Sequence, residues 1–229
     1  MEKALVKTLR SDGNETRDKI KHAAQRLFAQ RGVEGVTVQD IVSAAGQRNG
    51  AAIHYHFGTK RDLLKELVLD GAKLIDERRQ AMLDEMEEAD TITVRSMIEA
   101  LAIPLLELGK QTGQYTYIRM IANVQLTDRE LLRDVVGDQW NIGYRRCLEH
   151  LAALLPHLPE SVLHQRLSLL GIYGSAIWAT WEAATDTKAT NRFWEPAHSL
   201  SNVIDTLEAV AKVEPSATTL ELVSRSASE

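Results

Sequence analysis

Gln47, Arg48 and Asn49 stand side by side in a polar turn, and His54, Tyr55, His56 and Lys60 follow closely. These are side-chain types that can grip a polyanion carrying flat, hydrogen-bonding bases. A guanidinium matches the O6 and N7 acceptors of guanine, and a carboxamide matches N6 and N7 of adenine. Arg48 is thus a candidate base or phosphate contact. Gln47 and Asn49 are candidate adenine readers, although Asn49 suits a helix cap equally well. Thr37, His54, Tyr55, His56 and Lys60 could hold the sugar-phosphate backbone through hydroxyl, imidazole or ammonium groups. Tyr55 fits a hydrophobic core as readily.

Other reactive residues form no constellation. His54 and His56 make an H-x-H without a third ligand, so no metal is expected. His150, His157 and His164 recur every seven residues, but Pro156 and Pro159 break any helix that would align them. Cys147, the single cysteine, excludes an internal disulfide framework and has no neighbouring base. No GxSxG, Walker loop, HExxH or paired-carboxylate motif is found, so catalysis has no support and no cofactor is expected.

The elements that must position the turn read as helices. Ile20, Ala24, Leu27 and Phe28 share one face of a helix that should stop at Gly32. Thr37-Val-Gln-Asp40 has capping-box spacing and opens a short helix with Val38, Ile41, Val42 and Ala45 on its buried face. A further short segment runs from Gly50 to Phe57. A second box, Thr59-Lys-Arg-Asp62, starts a long helix to about Glu88 with Leu63, Leu67 and Leu74 inward. Two short helices around a tight polar turn make residues 37–57 a candidate helix-turn-helix. Small Ala44, Ala45 and Gly46 would let the helices approach, and the last helix would present Gln47, Arg48 and Asn49 at its N-terminus.

Charge agrees with this division. Residues 1–62 hold eleven Lys and Arg against seven Asp and Glu, whereas residues 63–229 hold sixteen against twenty-five. A basic head on an acidic body suits a protein whose head alone meets a polyanion.

The stretch TRDKIKHAAQRLFAQRGVEGVTVQDIVSAAGQRNGAAIHYHFGTKRDLL resembles the N-terminal DNA-binding domain of the TetR family of transcriptional regulators. Ala24, Leu27, Phe28 and Gly32 match its first helix and stop. Thr37, Val38, Ile41, Ala45 and Gly46 match the second helix and turn, and Tyr55, His56, Phe57, Lys60 and Leu63 close the pattern. The resemblance covers about residues 15–65. It implies double-stranded DNA as partner, a homodimer on a palindromic operator, and Lys60 as a phosphate contact. It also implies a body that binds a small-molecule effector, usually to release a repressor. The turn carries one residue more than the family pattern, placing His54 where a tyrosine is common. Which of Gln47, Arg48 and Asn49 faces a base is left open.

The body reads as all-α. Pro104 should kink or break a helix over 92–109, and a third box, Thr127-Asp-Arg-Glu130, should open a helix reaching Leu155. Met97, Leu101, Leu105, Tyr115, Tyr117, Met120, Trp140, Tyr144 and Trp178 are candidate walls of a pocket for a lipophilic effector, each also acceptable as ordinary core. Leu163, Leu167, Leu170, Gly174, Ile177, Trp178 and Trp181 form one stripe. Leu200, Val203, Ile204, Leu207, Val210 and Ala211 form another. Paired across a two-fold axis they would make a four-helix interface; packing within one protomer is the alternative.

The expected organisation is a disordered basic arm over 1–14, a helix-turn-helix domain over 15–62, a helical ligand-binding and dimerisation domain over 63–214, and a disordered tail over 215–229. With neither signal peptide nor membrane segment in the sequence, the cytoplasm is the expected location. The expected function is a ligand-responsive transcriptional regulator. A helical protein-interaction module with a basic head and a helical small-molecule enzyme are the alternatives.

Overall fold

The computed structural model describes residues 2–187 and 191–226, with side chains from residue 13 onward. Among the described residues there are eleven helices and no strand. The head comprises α1 (Glu2–Arg31), α2 (Val38–Ala44) and α3 (Ala51–Phe57), closed by the start of α4 (Lys60–Glu88). The spacing that predicts α1 puts Ile20, Ala24, Leu27 and Phe28 in the core, where Ile41, Val42, Ile53, Leu63 and Leu67 meet them. α1 ends where Gly32, at φ 72°, donates its N–H to the Phe28 carbonyl at 3.0 Å.

The body holds α5 (Val94–Thr112), α6 (Tyr117–Thr127), α7 (Arg129–Val136), α8 (Ile142–Leu154), α9 (Glu160–Thr187), α10 (Ser199–Lys212) and α11 (Ala217–Ser226). Its core gathers Leu83, Met97, Ile98, Leu151, Trp178 and Leu207. No helix is long and apolar enough to cross a membrane among the described residues.

Several expectations need correction. Residues 2–14 continue α1 instead of forming a disordered arm; Glu, Lys, Ala, Leu and Arg, which dominate the stretch, are good helix formers. Met1 lies outside the described residues. In the tail, Ser216 Oγ accepts from the Thr219 N–H at 3.3 Å and opens α11, so its Ser and Thr content serves helix ends as well as coil. Residues 227–229 lie outside the described residues.

Pro104 does not break α5, which runs through it. A proline has no N–H to offer the carbonyl four residues back. Here Arg79 supplies it, with Nε donating to the Ala100 carbonyl at 3.0 Å and Nη2 to that of Leu101 at 3.2 Å. The expected helix from Thr127 to Leu155 is two helices. Asp128, not Thr127, caps the first, its Oδ1 accepting from the Leu131 N–H at 3.1 Å. Gly137, at φ 53°, ends that helix, and α8 begins at Ile142.

The two apolar stripes lie mostly inside the protomer, with Leu170, Trp178, Val203, Ile204 and Leu207 all buried. The uncovered face is Leu169, Ile172 and Tyr173 on α9, which lie outside the stripes, with Leu200 of the second stripe on α10. Nor does the core part at residue 62. Met120 and Val124 of α6 and Leu131 of α7 belong to the same apolar cluster as Phe28 and Ile41.

Candidate DNA-reading head and effector cavity

The turn is built by a helix-ending motif. Gly46, at φ 68°, donates to the Ser43 carbonyl at 3.1 Å, and Gln47 donates to that of Val42 at 2.8 Å. This pair of bonds requires a left-handed residue, which explains a glycine at 46. No atom lies near a Cβ placed there, so backbone conformation, not the expected close helix approach, is the reason for this small residue. Asn49 Oδ1 then accepts from the Ala51 N–H at 3.1 Å, an Asx turn just before α3, whose N-cap is Gly50.

Gln47, Arg48 and Asn49 therefore precede α3 instead of forming its first turn. Arg48 and Asn49 are exposed and Gln47 is half-buried. Arg48 makes no ion pair or hydrogen bond among the described residues, whereas the Asn49 side chain is engaged in its turn bond to Ala51. Tyr55 is 84% exposed, which removes the core alternative for it. His54 is exposed as well; its Nδ1 lies 3.1 Å from the Gly58 carbonyl, which leaves Nε2 for a partner. His56 is half-buried, its ring edge-on to Tyr55 at 4.9 Å.

Two candidate backbone contacts already have work inside the head. Thr37 completes the expected box: Oγ1 accepts from the Asp40 N–H at 3.1 Å, and Asp40 Oδ2 accepts from the Thr37 N–H at 2.8 Å. The Thr37 hydroxyl, donating to Asp40 Oδ2 at 2.6 Å, and next the Thr37 N–H hold the Asp40 carboxyl below its ordinary range. Lys60 Nζ donates to the Val33 carbonyl at 3.0 Å and to that of Val36 at 2.8 Å, fastening the loop before α2. One of its three N–H groups is left for a phosphate. Sequence reasoning passed over Ala51, the exposed first residue of α3, because a methyl carries no charge signal. A methyl can nonetheless contact thymine.

In the body, a cavity of about 350 Å³ lies between α4, α5, α6, α8 and α9. Leu101, Leu105, Tyr117, Trp140, Tyr144 and Trp178 line it as anticipated. Met97 and Met120 are fully buried core instead, and Tyr115 packs edge-on against Trp181. Periodicity marks which residues turn inward; it does not separate a filled interior from a hollow one. Arg79, a wall residue that sequence reasoning missed, is buried. Beside it, burial pushes the Cys147 thiol up to about 11, so it stays protonated and inert at neutral pH. Among the described residues no group of three or more His, Cys, Asp or Glu is placed to hold a metal ion.

α6 joins cavity to head. Tyr117, Ile118, Ile121 and Gln125 face the cavity. On the other side Asn123 Nδ2 donates to the carbonyls of Phe28 and Ala29, at 3.1 and 3.3 Å, near the end of α1. Gln25 of α1 also donates to Thr116 Oγ1 at 2.9 Å. The start of α6 is held by Glu182 of α9, only 2% exposed, whose two oxygens accept from the Ile118 and Arg119 N–H groups at 2.9 and 2.8 Å. Burial raises this carboxyl's pKa, outweighing the two amides and Arg119, which lower it.

Comparison with known proteins agrees with the head. Residues 20–67 match the family model of bacterial regulatory proteins of the tetR family. The chain is similar to the HTH-type transcriptional regulator TtgR of Pseudomonas putida, 39% identical over 64 residues, 28% of this chain and 30% of that protein. It is similar to the HTH-type transcriptional repressor AcnR of Corynebacterium glutamicum, 35% identical over 105 residues, 42% of this chain and 50% of that protein. The chain thus spans half or less of the length of these two relatives. Among solved structures, a putative tetR family regulator from Shewanella sp. PV-4 is alike in fold, with TM-score 0.54 and 16% identity, covering 84% of this chain and 95% of that one. The TetR family regulator PfmR from Thermus thermophilus aligns with TM-score 0.50 and 20% identity, covering 87% of this chain and 98% of that one. Residues 20–67 thus carry the N-terminal domain of the tetR family, on a chain whose all-helical fold is like that of the Shewanella protein.

Proposed function

We propose that the protein is a homodimeric, ligand-responsive DNA-binding regulator, a repressor released from a palindromic operator by a small lipophilic effector. The observation that carries this reading is the double role of α6, one side of which lines the cavity while the other holds the end of α1. A ligand that alters α6 alters the seat of the head. Its leverage equals its difference in affinity for the DNA-bound and released states. The long α4 provides a second connection, since Arg61 near its start pairs with Asp128, the cap of α7, at 2.6 Å.

Dimerisation through Leu169, Ile172, Tyr173 and Leu200 would set the spacing of two heads about one helical turn of DNA, or a multiple of it, apart. The effector is the sole small molecule this reading requires; it needs no resident cofactor. The cytoplasm, where operator DNA lies, is its place of action. AcnR, named a transcriptional repressor, lends support to repression.

The test is fluorescence anisotropy of the purified protein on DNA flanking its own gene, with random DNA as competitor and salt varied. Specific binding at about 10⁻⁸ M or tighter, with steep salt dependence, is expected. Absence of even non-specific binding would overturn the reading and favour a protein-interaction module.

A further inference from the structure

The cavity walls are mainly aliphatic and aromatic, yet one wall residue is a cation. Arg79 is 6% exposed, and its side chain lines the cavity. The Nε and Nη2 edge of its guanidinium serves the carbonyls of Ala100 and Leu101. That uses two of five N–H groups. Both Nη1 hydrogens and the second on Nη2 have no hydrogen-bond partner among the described residues.

Counter-charge is scarce around it. Asp76, one turn earlier on α4 and itself buried, is the nearest acid, but its oxygens accept from the Gly143 N–H at 2.9 Å and Gln80 Nε2 at 2.7 Å, and it forms no ion pair with Arg79. The other titratable neighbours, Tyr144 and Cys147 of α8, are both held neutral by burial. Burial also pulls the guanidinium below its ordinary range, but arginine keeps its proton at any working pH. A buried cation without a close anion is costly, and the cost is relieved when an anion arrives.

We infer that the cavity takes an amphipathic carboxylic acid, its carboxylate on the free end of the Arg79 guanidinium and its apolar body among Ile98, Leu105, Trp140 and Trp178. This rests on the reading of the cavity as the effector site and specifies the effector's chemistry. Two adjacent N–H groups directed at one carboxylate give the two-point pairing for which arginine is suited. The size agrees: 350 Å³ lies within the range of about 300–1,000 Å³ that small-molecule sites occupy. The cavity also shares walls with the surface. Gln125, Leu132, Val136, Asn141 and Tyr144 line both the cavity and a surface cleft at the α6–α7–α8 corner. Arg79 lines the cavity and not that cleft, so the acid enters head first.

Decanoate, 1-decanol and decylammonium test this directly, because they share one chain and differ in head charge. With the full-length protein at pH 7.5, tryptophan fluorescence titration should find decanoate about tenfold or more tighter than decanol, as a charge-assisted pair requires, and decylammonium weakest. Removing Arg79 alone strands the Ala100 carbonyl, so the informative variant is Pro104→Ala with Arg79→Met, in which the alanine that replaces the proline restores a helical N–H to it. That variant should bind decanoate and decanol alike, whereas Pro104→Ala alone should keep the preference. Asp76→Asn should tighten decanoate and leave decanol unchanged. Decanol binding as tightly as decanoate, binding of none of the three, or a preference that survives loss of Arg79 would each overturn the inference. The regulator reading is judged separately, by operator binding without any added compound.

Discussion

Arg79 of α4 hydrogen-bonds the carbonyl of Ala100 in α5, the carbonyl that Pro104 leaves without its helical donor. A side chain of one helix thus repairs the backbone of its neighbour. Arg79→Met should cost about 1–3 kcal/mol in urea unfolding, the usual penalty for a stranded buried acceptor. In a Pro104→Ala background the same change should cost clearly less. Equal costs in both backgrounds would show that the proline and the arginine are not coupled.

Arg48 and Lys60, both candidate DNA contacts, should behave differently. Arg48 has no internal partner among the described residues, so Arg48→Ala should leave thermal stability unchanged, weaken operator binding by about 1–3 kcal/mol and relax specificity. Lys60→Ala should weaken binding to all sequences alike and flatten the salt slope by about one unit. It should also lower Tm, because the Val33 and Val36 carbonyls lose their donor. An unchanged Tm for Lys60→Ala would mean those two bonds contribute nothing to the head.

Gly71 of α4 is a contact glycine. A Cβ there would lie 2.1 Å from Cε2 of Tyr117, whose hydroxyl donates to the Val68 carbonyl at 2.8 Å. Gly71→Ala must displace the ring at the start of α6, at about 1–3 kcal/mol for overpacking. Thermal unfolding should record the loss, and operator affinity should fall with it if α6 seats the head. Retained stability would show that the ring has somewhere else to go.

Ile172 is 52% exposed beside Tyr173 and Leu169. Ile172→Glu should convert the proposed dimer to monomer in light scattering while changing protomer stability by no more than about 0.5 kcal/mol, as at other surface positions. A persistent dimer would place the interface elsewhere.

Glu182 gives a pH signature. Its folded pKa lies above that of the unfolded chain, so its contribution to stability is full below the unfolded carboxyl range and is lost as pH rises through the folded value. Carboxyls with lowered values, such as Glu66 and Asp128, act in the opposite direction. The difference between wild type and Glu182→Gln isolates the one group. Unfolding free energies at pH 7.5, 6.5 and 5.5 should show wild type gaining on the variant as pH falls; the reverse slope would rule the assignment out.

The head was legible because its signals are local. Phe28 and Ile41 lie inward by helical period, and Thr37 with Asp40 sets a helix start within four residues. The segment from Gly50 to Phe57 was legible too, but the path of Gln47, Arg48 and Asn49 before it was not, because it depends on the bonds made by Gly46, Gln47 and Asn49, and several registers of that turn satisfy the same residue types. In the body, Pro104 looked like a break because the donor that rescues its helix sits 21 residues from the rescued carbonyl in sequence, on another helix. Arg79 gave no signal in a helix rich in charge. Trp178 and Leu207 were recognised as buried, but which neighbour buries them is a tertiary fact, and the two stripes left open between a partner subunit and the protomer lie mostly in the protomer's own core.

The apolar cluster around Phe28 is completed by Met120, Val124 and Leu131, contributed by the body. Residues 20–67 alone would therefore have their core open on one side, with the Phe28 and Ala29 carbonyls parted from Asn123. Such a head is not a portable cassette. Grafted to an unrelated body it would need a comparable ridge to close its core, so any exchange of heads must carry the surface of α6 along.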